Sequence, residues 1–94
     1  MNAVLTDNSA VAVWRRTIQP SNGDLSPDEA RVILRLKLSA QDLDRADDLA
    51  AKARLGELSP QEEHELNDYL SVGSVLEFLK SKARLSLRKT EAST

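Results

Sequence analysis

Few residues of this chain could carry chemistry, and the single histidine, His64, is the first of them. An imidazole exchanges protons near neutral pH, and His64 stands among Glu62, Glu63, Glu65 and Asp68. His64 and Asp68 share a helix face at i,i+4 spacing, which is ordinary surface electrostatics, and no nucleophile is tied to them. Asp44, Asp47 and Asp48 resemble no metal loop. A calcium site needs a glycine-centred loop of about twelve residues, whereas this stretch is helix-forming. Cysteine is absent, which excludes disulfides, thiolate zinc sites, iron–sulfur clusters and Cys nucleophiles. Three glycines make no phosphate-cradling loop. The expectation is a non-enzymatic protein with no metal, no cofactor and no small-molecule substrate.

Recognition is the chemistry left. Trp14 precedes Arg15 and Arg16, and Trp and Arg are the residue types enriched where binding energy concentrates. The competing role for Trp14 is to clip an N-terminal arm onto the core. Charge is segregated along the chain. Residues 1–40 hold five basic and four acidic groups (+1), 41–68 hold three and nine (−6), and 69–94 hold five and two (+3), which sum to the net −2. The acidic block, with Asp44, Asp47 and Asp48, suits a basic partner surface, or else is a solvated helix face. Lys82, Arg84, Arg88 and Lys89 form a basic end that could track phosphates or simply complement a helix C-terminus. With an overall negative charge, bulk affinity for nucleic acid is not expected, because that affinity comes from Lys and Arg.

The elements that position these residues are helical. In 94 residues there are fifteen leucines and eleven alanines against eight Val and Ile, and aromatics make up 3%. Ser26-Pro27-Asp28-Glu29 and Ser59-Pro60-Gln61-Glu62 each read as a capping box with proline at the first helical position. Ser39-Ala40-Gln41-Asp42 is a third start without the proline, with Leu38 and Leu43 placed to form a hydrophobic staple. The fold class is therefore all-α: a small bundle of three helices (27–38, 40–55 and 60–89), with a long C-terminal helix and an extended N-terminal arm at 11–20. Together 11–89 make one helical domain, flanked by a flexible N-terminus (1–10) and a flexible tail (90–94). In the second helix Leu43, Ala46, Leu49, Ala50 and Ala53 are expected to face inward, and Gly56 to close it in the left-handed region. The third would be about 45 Å long, bent or broken, if anywhere, at Gly73.

Two apolar stripes run along that third helix. Leu66, Tyr69, Gly73, Leu76, Lys80, Ala83 and Leu87 keep three–four spacing, the natural surface for the other helices. Val75, Phe78, Lys82 and Leu85 form a second stripe on the other side. Either the 11–18 segment covers it or a partner chain does. Trp14, Val75, Phe78, Lys82 and Leu85, with Asp44, Asp47 and Asp48, are thus the candidate protein-partner residues. Lys82, Arg84, Arg88 and Lys89 are the candidates of the nucleic-acid alternative, and a self-associating scaffold is a further one.

Five motifs carry a resemblance: W-R-R-x-I-x-P at 14–20, D-L-S-P-x-E-A-R at 24–31, R-x-G-E-L-S-P-x-E at 54–62, Y-L-x-V-G at 69–73 and L-K-S-K-A-R-L-S-L at 79–87. In this order they resemble a group of small bacterial proteins whose reading frames lie beside genes for HNH-type endonucleases or other toxin-like proteins. The resemblance spans about residues 14–88. It implies an antitoxin or inhibitor whose partner is a nuclease-type toxin, and it assigns no site residues. The longest apolar runs are a few residues long and the first residues lack the pattern of a signal peptide, so a cytoplasmic location without membrane contact is expected.

Overall fold

The computed structural model describes residues 7–92; the outer parts of the two expected flexible ends, 1–6 and 93–94, lie outside the described residues. Four helices follow one another: α1 (Ala10–Ile18), α2 (Pro27–Leu34), α3 (Ala40–Arg54) and α4 (Pro60–Ala92). Among the described residues the fold is all-helical with a long C-terminal helix, as expected, but there are four helices rather than three.

The additional helix is α1, and it replaces the extended arm expected at 11–20. Ser9 caps it by accepting the Ala12 N–H at 3.2 Å. Arg15 and Arg16 in its last turn complement the helix dipole. Gln19 closes it in the left-handed region (φ 55°), where its N–H donates to the Arg15 carbonyl at 2.9 Å. Val11 and Ile18 lie two turns apart on one side, and Ile18 is buried. That burial outweighs the few tenths of a kcal/mol by which each β-branched residue disfavours a helix. Asp7 and Asn8 are not loose, since the Arg16 guanidinium donates to the Asp7 carbonyl at 2.9 Å and to Asn8 Oδ1 at 3.2 Å.

The other ends follow local chemistry. At α2 the capping box is complete: Ser26 Oγ accepts the Glu29 N–H, and Glu29 accepts the Ser26 N–H at 2.8 Å, which holds the Glu29 carboxyl below its ordinary range. This helix stops at Leu34 rather than 38, because Arg35 and Leu36 tighten into turn bonds and Ser39 begins the next helix from an extended backbone. At α3 the Asp42 side chain does not return to the Ser39 N–H as a glutamate would. It accepts the Ser39 hydroxyl instead, at 3.0 Å. Gly56 stands in the left-handed region (φ 69°), with Gly56 N–H bonded to the Ala53 carbonyl and Glu57 N–H to that of Lys52, the Schellman pattern. α4 runs without a break through Gly73 and continues to Ala92, so 90–92 are helix, not tail.

The chain divides into two compact units. One comprises, among the described residues, 7–36 and 74–92. Its small core is Ile18, Ala30, Ala83 and Ser86, all buried. The backbone approaches α4 closely at Gly23, where a Cβ would lie 2.9 Å from Leu85 Cγ and 3.0 Å from the Ser86 nitrogen. The buried Ser86 hydroxyl accepts the Leu25 N–H at 3.1 Å and donates to the Lys82 carbonyl at 2.8 Å.

The other unit, 37–73, is a helical hairpin of α3 and the first part of α4. Its pairs run antiparallel: Asp42 with Tyr69, Arg45 with Glu65, Lys52 with Glu62. Positions 42, 45, 49 and 52 therefore face α4, and Leu49 alone among them is apolar and fully buried. The inward face is rotated from the one expected. Leu43 and Ala53 are exposed and Ala46 and Ala50 half-buried, because charge-assisted pairs rather than alanines fill the seam.

Candidate protein-interaction surface

The stripe of Val75, Phe78, Lys82 and Leu85 is partly covered from within its own unit, at Phe78, Lys82 and Leu85. All four are half-buried. The Arg15 guanidinium lies over the Phe78 ring, 5.6 Å from its centroid, within the range of a cation–π contact. Gly23 backs onto Leu85. Lys82, whose side chain is 13% exposed, donates to the Ile18 carbonyl at 2.8 Å and pairs with Asp24 at 2.9 Å. Its ammonium caps the C-terminal end of α1, and it holds the Asp24 carboxyl below the usual range. Of the two covers open to this stripe in sequence, α1 and the turn after it supply one.

This also bears on the basic end of α4. Arg84 is held by Glu77 at 2.7 Å and by Ser81. With Lys82 turned inward, the four cations do not form one free phosphate-facing row; Arg88 is exposed, and Lys89 is exposed with interactions of its own. Trp14 is half-exposed on α1 beside the exposed Val13, so it is neither buried as a clip nor fully presented. His64 is exposed, and no group of three or more His, Cys, Asp or Glu suited to a metal occurs among the described residues. A shallow depression beyond α1 is lined by Arg15, Arg16, Gln19, Pro20, Ser21 and Asn22. Both of its guanidiniums are engaged as described.

The acidic candidates occupy a different setting. Asp44, Asp47 and Asp48 are all exposed on α3, and helical spacing puts them on the side away from Leu49. The hairpin beneath is joined by its polar seam. Arg45 donates to both oxygens of Glu65, at 2.7 and 2.9 Å, which raises the guanidinium pKa and lowers that of the carboxyl. Lys52 Nζ lies 2.5 Å from Glu62, and with the Ser59 N–H it brings the Glu62 carboxyl down to about 2. Tyr69 donates its hydroxyl to Asp42 at 2.8 Å, which raises the phenol pKa. The helix pair thus carries exposed carboxylates on the side of α3 away from the seam.

Apolar side chains that sequence reasoning turned inward or did not consider are also exposed on this unit. Leu43 is 46% exposed, Leu55 70% and Leu70 60%. Asp42 and Tyr69 touch across the hairpin, and Leu43 and Leu70 each follow one of them. In an antiparallel pair a step of one residue on each helix leads to the same flank, so the two leucines lie on one flank of the hairpin. The signal for this was present in the alternation of Asp42-Leu43 and Tyr69-Leu70. It is legible only once the polar member of each pair is known to face inward.

No family model, no curated protein and no solved structure matches this chain.

Proposed function

We propose that this protein is a non-enzymatic protein–protein interaction module, an antitoxin-like inhibitor that neutralises a nuclease-type partner by occlusion. The observation that carries the reading is the α3–α4 hairpin, whose α3 exposes Asp44, Asp47 and Asp48, with the exposed Leu43 one turn from Asp47, on a helix pair joined by its own ion pairs. Carboxylates on a helix complement the cationic surface with which a nuclease holds phosphates, and such complementarity acts mainly on the rate of encounter. Leu43 supplies apolar contact that water would otherwise cover. The buried contact first sought in the Phe78 stripe moves to the hairpin, because that stripe is partly covered within its own unit.

The test uses the partner recovered on the tagged chain from nuclease-treated host lysate. Its association rate is measured at low and high salt for the chain and for Asp44→Lys, Asp47→Lys and Asp48→Lys combined. The expected result is a rate that falls tenfold or more on reversal and falls steeply with salt. Rates insensitive to both would overturn the occluding role of this face. Nucleic-acid binding is less favoured, because it would rest on Arg88 and Lys89 with Lys82 and Arg84 already engaged.

A further inference from the structure

Asn22-Gly23 is the single Asn-Gly pair of the sequence, and it stands in the turn between α1 and α2. An asparagine is open to attack by the backbone nitrogen that follows it, once that nitrogen has lost its proton to solvent base. Glycine in second place leaves the nitrogen least obstructed, because it has no Cβ. The attack also needs an accessible amide and a nitrogen not held in a hydrogen bond.

The turn meets both conditions. Asn22 is exposed, and its amide makes one long contact, donating to the Oε1 of the exposed Gln19 at 3.4 Å. The Asn22 N–H donates to the Gln19 carbonyl at 2.9 Å, but the Gly23 N–H makes no hydrogen bond among the described residues. The other described asparagines differ at this point. After Asn8 the Ser9 N–H donates to Asp7 Oδ1 at 2.9 Å, and Asn8 Oδ1 itself accepts from Arg16. Asn67 lies inside α4, where the following N–H belongs to the helix ladder.

We propose that Asn22 is a site of self-modification. The Gly23 nitrogen bonds to Asn22 Cγ, the Cγ–Nδ2 bond breaks, and the side-chain nitrogen leaves as ammonia, which closes a cyclic imide. Water then adds to one imide carbonyl. Opening between Cγ and the Gly23 nitrogen gives aspartate; opening between the Asn22 carbonyl carbon and that nitrogen gives isoaspartate. Either product adds one carboxylate, taking the net charge to −2 − 1 = −3. Arg15 and Arg16 line the same depression as Asn22 and no carboxylate does, so the aspartate is accommodated. The isoaspartate is not. It lengthens the main chain by one carbon just before Gly23, which backs onto Leu85 and Ser86, and before Leu25, whose N–H is bonded to the buried Ser86 hydroxyl. This inference is independent of the external partner.

The test incubates the full chain in mildly alkaline buffer, folded and in urea, and follows tryptic fragment 17–31, which holds Asn22 alone, by mass spectrometry that separates the two acids. The expected result in the folded chain is loss of the Asn22 amide to both products while Asn8 and Asn67 keep theirs, and no conversion in this fragment for Asn22→Ser. Asn22→Asp, which reproduces one product, should melt with the parent chain, and the isoaspartate form separated by ion exchange should melt lower. A folded Asn22 still intact when the urea sample has converted would overturn the proposal, as would conversion no faster than at Asn8 and Asn67. An isoaspartate form as stable as the parent would overturn the consequence drawn for α4.

Discussion

Lys82 and Ser86 show how single side chains organise the first unit. Lys82 joins three pieces of backbone: its own helix, the end of α1 through the Ile18 carbonyl, and the following turn through Asp24. Ser86 is buried and satisfied on both sides, so Ser86→Ala leaves the Leu25 N–H without its acceptor. An unsatisfied buried donor costs about 1–3 kcal/mol, and urea denaturation should show a loss of that size. Loss of the charged bonds in Lys82→Ala should cost about as much, 1.5–3 kcal/mol, and lower helix content as α1 comes away. Glu62 contributes to the acid dependence of the hairpin. Its folded pKa, about 2, lies below the unfolded carboxylate value of 4.5. Its contribution is therefore present above the unfolded value and is lost as pH falls from about 5 through 2. A Glu62→Gln variant should lose that part of the acid dependence in a helix-content titration; an unchanged acid limb would contradict the assignment.

At the scale of elements, what was legible and what was not separates by physics. The starts of α2, α3 and α4 were readable because Ser-Pro-x-Glu and Ser-x-x-Asp spacing reports bonds made within four residues. α1 was not. V-A-V-W-R-R-T-I carries β-branched residues that suit a strand, and its helical state is decided by Ile18 burial and a lysine at position 82, far off in sequence. The α3 face was missed for a related reason. Hydrophobic periodicity locates alanines and leucines, but the seam is built from Asp42, Arg45 and Lys52, whose partners lie on another helix. Leu43 was consequently turned inward in the reading and outward in the fold. For α4 the local rule and the fold agree that Gly73 is tolerated, since a Cβ there would meet nothing within 4 Å. Gly73→Ala should stabilise the protein by up to about 1 kcal/mol, measured as a raised melting temperature. Gly23→Ala should do the reverse by about 1–3 kcal/mol, because its Cβ meets backbone at 3.0 Å.

At the scale of the molecule, the distribution of charge carries the functional account. Ion pairs consume charge in the seam of the hairpin, while Asp44, Asp47 and Asp48 stay exposed on its outside. The charge blocks were visible in sequence; which members are engaged was not, because pairing depends on the rotation of α3 and on the inward turn of Lys82. The most direct measurement is capture of the tagged full chain from nuclease-treated host lysate, beside the Asp44→Lys, Asp47→Lys, Asp48→Lys variant and an Arg88→Glu variant, with mass spectrometry of what is retained. The expected result is a stoichiometric, basic, nuclease-type partner held by the chain and by Arg88→Glu and lost by the triple reversal. Recovery of the chain alone, or the same partner on all three baits, would contradict the occluding hairpin.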